Sequence, residues 1–212
     1  MKALAFFCWL LTTATPLLAA DVLPLLWKHE DIGEAKQTPG SASYGDGVFT
    51  LSGSMNILNQ ADGCHIVWQP MHGDGEMVAR ATFIEDTAHH AKASVCIRES
   101  LEPGARHATM AVTPGDGTLF LWREQANAKT SSSNTGKDKG RFPCWLKVVR
   151  HGKEFTGYES GDGETWIQVG KIELDFGPEA VAGLCASSHE TAKLAKATFD
   201  HVALTASAAG TK

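Results

Sequence analysis

Apolar side chains in this chain recur every second residue, in short runs separated by joints rich in glycine and aspartate. That period belongs to a β-strand on a sheet, where successive side chains take opposite faces and one row meets the core. In "EMVARATF" it predicts Met77, Ala79, Ala81 and Phe83 on one face, with Glu76, Arg80 and Thr82 opposite. In "KASVCIRE" it sets Ala93, Val95 and Ile97 against Lys92, Ser94, Cys96 and Arg98. "VFTLSG", "HIVWQ", "HATMAVT", "TLFLWRE", "WLKVVR", "EFTGYES", "TWIQVGKI", "AVAGLCASS" and "AKATFDHVALT" bring the total to about eleven runs. The longest helix candidate, "GPEAVAGLCASSHETAKLAKATF", alternates at both ends and reads as strand, loop, strand. Short strands without crossover helices predict an all-β chain, two antiparallel sheets packed face to face as a jelly-roll sandwich.

Four joints carry one tripeptide: Gly45-Asp46-Gly47, Gly73-Asp74-Gly75, Gly115-Asp116-Gly117 and Gly161-Asp162-Gly163. Asp-Gly suits the positive-φ positions of hairpin turns, with the aspartate bonding back to its own loop. Calcium wants six to eight oxygens, and no joint has an alternating aspartate ladder, so turns are expected; a single calcium ion at one Gly-Asp-Gly loop stays open, and no other cofactor is expected. The last joint lies in "SGDGETW", Ser160 to Trp166, which resembles the Asp-box of sialidase propellers with one residue missing between Asp and Gly. Propellers need several such blades, and only this stretch has the pattern. It reads as a hairpin with Asp162 in the turn and Trp166 capping the edge of the core.

Residues 1–20 stand outside this rhythm. Met1 and Lys2 give a positive start, Ala3 to Leu11 an apolar run, and Leu18, Ala19 and Ala20 a small-residue exit. These predict a signal peptide and an exported protein, periplasmic or extracellular. Cys8 has no small-residue exit before it and does not read as a lipid anchor. No later apolar stretch approaches the roughly 20 residues of a membrane helix, so no membrane insertion is expected. Residues 21–206 read as one domain and 207–212 as a flexible tail. The polar stretch Asn127 to Arg141 reads as a mobile loop between strands.

The net charge of −5 and the lack of a basic stripe exclude nucleic acid as a partner. Cys64, Cys96, Cys144 and Cys185 permit two disulfides in any of three pairings. Each also sits in an apolar run where a free thiol packs as a small hydrophobe. No CxxC pair points to structural zinc.

The order "GDGEMVAR", "AKASVCIRESLEPGARHATM", "CWLKVVRHGKEFTGYESGDGETW" and "AGLCASSH" followed by "ATFDHV" carries a family resemblance. From about Leu26 to Leu204 it resembles the bacterial exported "regulation of enolase"-type domains of the concanavalin A-like lectin/glucanase superfamily. The resemblance implies a curved two-sheet jelly roll with one concave face and no established activity; the family name comes from a distant member and implies no enolase binding. Cys96 stands where that pattern commonly has Met, Cys144 where it has an aromatic, and Cys64 beside a usual aromatic, which leaves open a disulfide foreign to the family.

Catalysis finds no foothold. Hydrolases on this superfamily's fold hold Glu, Asp and Glu on alternate residues of one strand, about 5 Å apart for a retaining mechanism. In "IELDFGPE", Glu173 and Asp175 share a face, but Gly177 and Pro178 end the strand before Glu179. Glu85 and Asp86, being adjacent, point to opposite faces. His89 and His90, with Glu85 or Asp86, form a metal candidate set against the plainer reading of solvated loop histidines. No G-x-S-x-G elbow occurs.

Binding is better served. Sugar sites pair aromatic faces with planar polar groups. Arg80, Lys92, Ser94, Arg98, Arg106 and His107 come from three successive runs and form one patch if those strands are neighbours; Trp68, Gln69, Trp122, Arg123 and His189 fall at its rim. The competing view pairs these arginines with Glu76, Glu99 or Glu124 as ordinary surface charge. The reading that follows is a lectin-like domain binding carbohydrate or polysaccharide without chemistry of its own. A glycoside hydrolase or polysaccharide lyase with an unrecognised site, and a protein-interaction or envelope-structural module, are the alternatives.

Overall fold

The computed structural model describes residues 22–134 and 141–206. Residues 1–20, read above as a signal peptide, residues 207–212, read as a tail, and part of the polar stretch lie outside the described residues. Strands are numbered along the chain. The first sheet runs, edge to edge, β1 (Lys28–Ile32), β4 (Cys64–His72), β13 (Glu179–Ser187), β6 (Lys92–Arg98), β7 (His107–Thr113), β8 (Gly117–Arg123) and β9 (Ser131–Asn134). The second runs β12 (Ile167–Glu173), β11 (Glu154–Ser160), β10 (Cys144–His151), β5 (Gly75–Ile84), β14 (Ala195–Ala206), β3 (Val48–Gly53) and β2 (Ser41–Gly45). Each pairing is antiparallel. A 3-10 turn at Gly33–Gln37 is the helical element among the described residues.

All the period-two runs are strands, and their apolar rows meet between the sheets. Val67, Val95, Ile97, Met110, Val112, Phe120 and Leu184 of the first sheet face Phe49, Leu51, Met77, Leu146, Val148, Phe155 and Phe199 of the second. Burying each such side chain contributes about 1.5–3 kcal/mol. Phe120 needs more room than its neighbours. It projects onto Gly157 and Gly170, which are partners across β11 and β12, and a Cβ on either would come within 2.3 or 2.4 Å of its ring.

Three of the four Gly-Asp-Gly joints are hairpin turns, whereas Gly73-Asp74-Gly75 carries the chain from β4 in the first sheet to β5 in the second. At Asp46-Gly47 both φ angles are positive, 51° and 82°, which fits the right-handed twist of the β2–β3 hairpin. In the β11–β12 turn, Asp162 Oδ1 accepts from the backbone N–H of Glu164 and Thr165 at 2.9 and 2.8 Å, and Ser160 Oγ accepts from Gly163 N–H at 2.9 Å. Those N–H groups hold the Asp162 carboxyl below the usual carboxylate range.

Some expectations are corrected. Phe83 is 46% exposed, because a bulge against β14 between Ala81 and Phe83 reverses the alternation and turns Ile84 inward. Ser131–Asn134, within the stretch read as a loop, is the edge strand β9. Trp166 sits on the outer face of the second sheet, not at the core edge, with Lys147 Nζ 3.9 Å from its ring centre. Asp175 lies beyond the end of β12 and pairs with Lys153 at 3.0 Å. Cys64, Cys96 and Cys185 are free and buried, and Cys144 is buried as well.

Candidate functional site

The predicted patch divides between the two sheets. Lys92, Ser94, Arg98 and His107 do share a face, the outer one of the first sheet, but all four are buried. Loops close over them. Ile57 and Leu101 pack onto Cys64, Ile66, Cys96 and Cys185, and beneath the loops lies an ionic hub. Asp62 Oδ2 accepts from Arg98 Nη1 at 2.7 Å and Arg123 Nη1 at 2.9 Å, and its Oδ1 from Arg123 Nη2 at 2.6 Å. The remaining guanidinium donors bond the carbonyls of Ser100, Glu102, Pro103, Ala105, Asn59 and Ala128. Two arginines against one carboxylate thus organise three loops, the extra charge being met by carbonyl dipoles.

His107 lies within this hub, its Nε2 3.7 Å from Asp62. Burial, reinforced by the two guanidinium groups, pushes its pKa down to about 3, so the ring is neutral at ordinary pH and that approach is not an ion pair. Lys92 donates to Asn56 Oδ1 at 2.6 Å and to the His90 carbonyl at 2.8 Å, and burial lowers its pKa to about 8.

Of the other predicted residues, Trp68 packs on that same outer face, against the cluster of Cys64, Cys96 and Cys185, and the rest lie apart. Arg106 is clasped by Glu99. Trp122 points between the sheets and stacks on Phe120 at 5.6 Å. His189, at φ 65°, packs against His90 at 5.1 Å. Trp68 is half-exposed, under Lys28 and bonded to Glu30. His90 pairs with Asp116 rather than Glu85 or Asp86, and the described residues hold no group of three or more His, Cys, Asp or Glu placed for a metal ion. An open cleft of about 430 Å³ lies over the hub, lined by Glu34, Asn56, Asn59, Gln60 and Pro103 among others.

Arg80 belongs to the outer face of the second sheet, where a different constellation forms. Arg80 on β5 registers with Trp145 on β10, and Lys147 with Tyr158 on β11. Arg80 grips Asp200 by two bonds, Nε to Oδ1 at 2.7 Å and Nη2 to Oδ2 at 2.5 Å. Its guanidinium lies 5.8 Å from the centre of the Trp145 ring, which also meets His201 at 5.1 Å and packs beside Gly163 of the β11–β12 turn. Lys147 Nζ is held 3.9 Å from Trp166 and 5.3 Å from Tyr158. Three half-buried aromatic side chains with interleaved cations therefore come together, Trp145 and Tyr158 on neighbouring strands and Trp166 in the turn just before β12. Alternation in "WLKVVR" sets Trp145 and Lys147 opposite the buried Leu146 and Val148, a signal that reasoning centred on arginines passed over.

No family model matches the chain, and comparison with curated proteins gives no match. Solved structures do match. A functionally unknown protein from Saccharomyces cerevisiae aligns at TM-score 0.63 and 17% identity, over 79% of this chain and 92% of that one. The carbohydrate binding module CBM66 from Bacillus subtilis aligns at TM-score 0.54 and 14% identity, over 85% and 96%. The GH43 BlXynB protein from Bacillus licheniformis aligns at TM-score 0.60 and 17% identity, over 85% of this chain but 37% of that enzyme. At such identities the likeness is one of fold, and that fold is the two-sheet jelly roll found in carbohydrate-binding and lectin-type proteins.

Proposed function

We propose that the chain is an exported glycan-binding domain whose ligand lies across the outer face of the second sheet. The observation that carries this is the row Trp145, Tyr158 and Trp166 with Lys147 and the Arg80–Asp200 pair between them. A pyranose ring has an apolar face that covers indole or phenol carbon and an equatorial rim of hydroxyls that needs fixed donors and acceptors. Adjacent antiparallel strands supply both at close spacing, on a support that does not have to reorganise. The fold neighbours, which include a carbohydrate binding module, and the segment order resembling the exported enolase-regulation-type domains support the same reading.

Titration with a panel of soluble plant, algal and bacterial polysaccharides, read by tryptophan fluorescence and calorimetry, tests it. At least one polymer binds, and Trp145→Ala or Trp166→Ala weakens it by about tenfold or more. Silence across the panel overturns the reading. Loss of binding in Asn59→Ala or Gln60→Ala, with Trp145→Ala unaffected, moves the ligand to the cleft above Asp62.

A further inference from the structure

Lys147 is the odd cation on the aromatic face. Arg80 and His201 share Asp200, and Lys171 pairs with Glu154. Lys147 has no carboxylate partner among the described residues; its ammonium is held by the rings of Trp166 and Tyr158 alone. It also sits at the centre of the row, between β5 and β11 in register, so any polymer laid across the aromatic side chains must cover it.

Covering an ammonium removes its water, and ring quadrupoles replace only part of that hydration. A neutral glycan offers hydroxyls. A glycan bearing carboxylate or sulfate offers a charge-assisted bond, about twice as strong as a neutral one, in a site already partly dry. The chain's net charge of −5 gives no long-range attraction for an anionic polymer, so selectivity has to reside in this local contact.

We infer that the ligand is an anionic polysaccharide, with its sugar rings on Trp145 and Trp166 and an acidic group on Lys147. The inference rests on the glycan-binding reading above and narrows it to a substrate class.

The test compares polygalacturonate, the same polymer after carboxyl reduction, and a sulfated galactan, by calorimetry on the full protein. One charged polymer binds about tenfold more tightly than the reduced one, and which one it is separates uronate from sulfate. Raising salt to about 0.5 M shrinks the difference. Lys147→Met brings charged and neutral polymers to equal affinity, Lys147→Arg keeps the preference, and unchanged thermal melts show that both variants fold. Equal affinity of the unaltered protein for charged and reduced polymers, or binding confined to neutral glycans of the wider panel, overturns the anionic assignment and leaves glycan binding standing. Silence towards every polymer removes both.

Discussion

The two outer faces of the sandwich solve opposite problems with the same residue types. Each joins arginine to aspartate and sets a histidine beside them: Arg98, Arg123, Asp62 and His107 on the first sheet, Arg80, Asp200 and His201 on the second. On the first, both guanidinium groups and the carboxylate have side chains 0% exposed, and loops lie over them. On the second, the Arg80 and Asp200 side chains remain 31% and 18% exposed. An ion pair shut away from water is an architectural element, because removing one partner strands the other. One that water still reaches adds little stability and is free to take part in recognition.

The largest expected effect breaks the buried hub. Asp62→Asn leaves two guanidinium groups without their carboxylate and takes the anchor from three loops at once. A loss of about 3–5 kcal/mol is expected, seen as a lower urea midpoint. A loss below about 1 kcal/mol would mean that the carbonyls alone hold the arginines, and the contrast between the faces would collapse.

A pH titration sharpens the same contrast. His107 has a folded-state pKa of about 3 against an ordinary 6.5, so between those values the unfolded chain binds the extra proton. Stability present above pH 6.5 is therefore lost as pH falls towards 3, at up to about 1.4 kcal/mol per pH unit. His65 and His189 are lowered by burial as well and act in the same direction. The depressed carboxylates Asp162 and Asp200 lose stability only below the ordinary 3.8 of an aspartate, so the interval from 6.5 to about 4.5 belongs to histidine. Thermal melts across that interval should fall steeply for the unaltered protein and less steeply for His107→Gln. Parallel slopes would place the proton elsewhere.

These cases also mark how far the sequence could be read. Strands with a long apolar row, such as "HATMAVT", are plain because the period survives intact; its limits coincide with β7. β1, β2 and β9 carry short polar or glycine-bearing sequences at the sheet edges, with too little apolar alternation to register. Alternation correctly grouped Lys92, Ser94, Cys96 and Arg98 on one side. It could not show that the face is roofed, since the roof depends on Asp62, 36 residues before Arg98, and a strand pattern contains no information at that range. The division of Arg80 from Arg98 has the same origin: β5 and β6 are successive in the chain but belong to different sheets.

The space between the sheets gives an intermediate effect. Gly170→Ala would place a Cβ 2.4 Å from Phe120, and the ring, stacked on Trp122, has nowhere to retreat. A cost of about 1–3 kcal/mol is expected, measured by urea unfolding. Recovery in the double variant with Phe120→Leu would confirm that the clash is with this ring, whereas an additive loss would assign it to the backbone.

The smallest stability effect comes from the exposed pair. Asp200→Asn should cost no more than about 1 kcal/mol, since Arg80 turns to solvent once released. Its effect on binding runs the other way. With the carboxylate gone, Arg80 and Lys147 become two uncompensated cations flanking Trp145, so affinity for a charged polysaccharide should rise by roughly threefold to tenfold at low salt and return to the starting value near 0.5 M salt. Affinity for a carboxyl-reduced polymer should not follow. A variant that loses several kcal/mol would show that Asp200 is structural in the manner of Asp62, and a drop in affinity for charged and neutral polymers alike would show that the carboxylate accepts sugar hydroxyls directly. The first result would erase the distinction between a face built to hold loops and a face left open to a ligand; the second would keep it and make Asp200 a direct ligand contact.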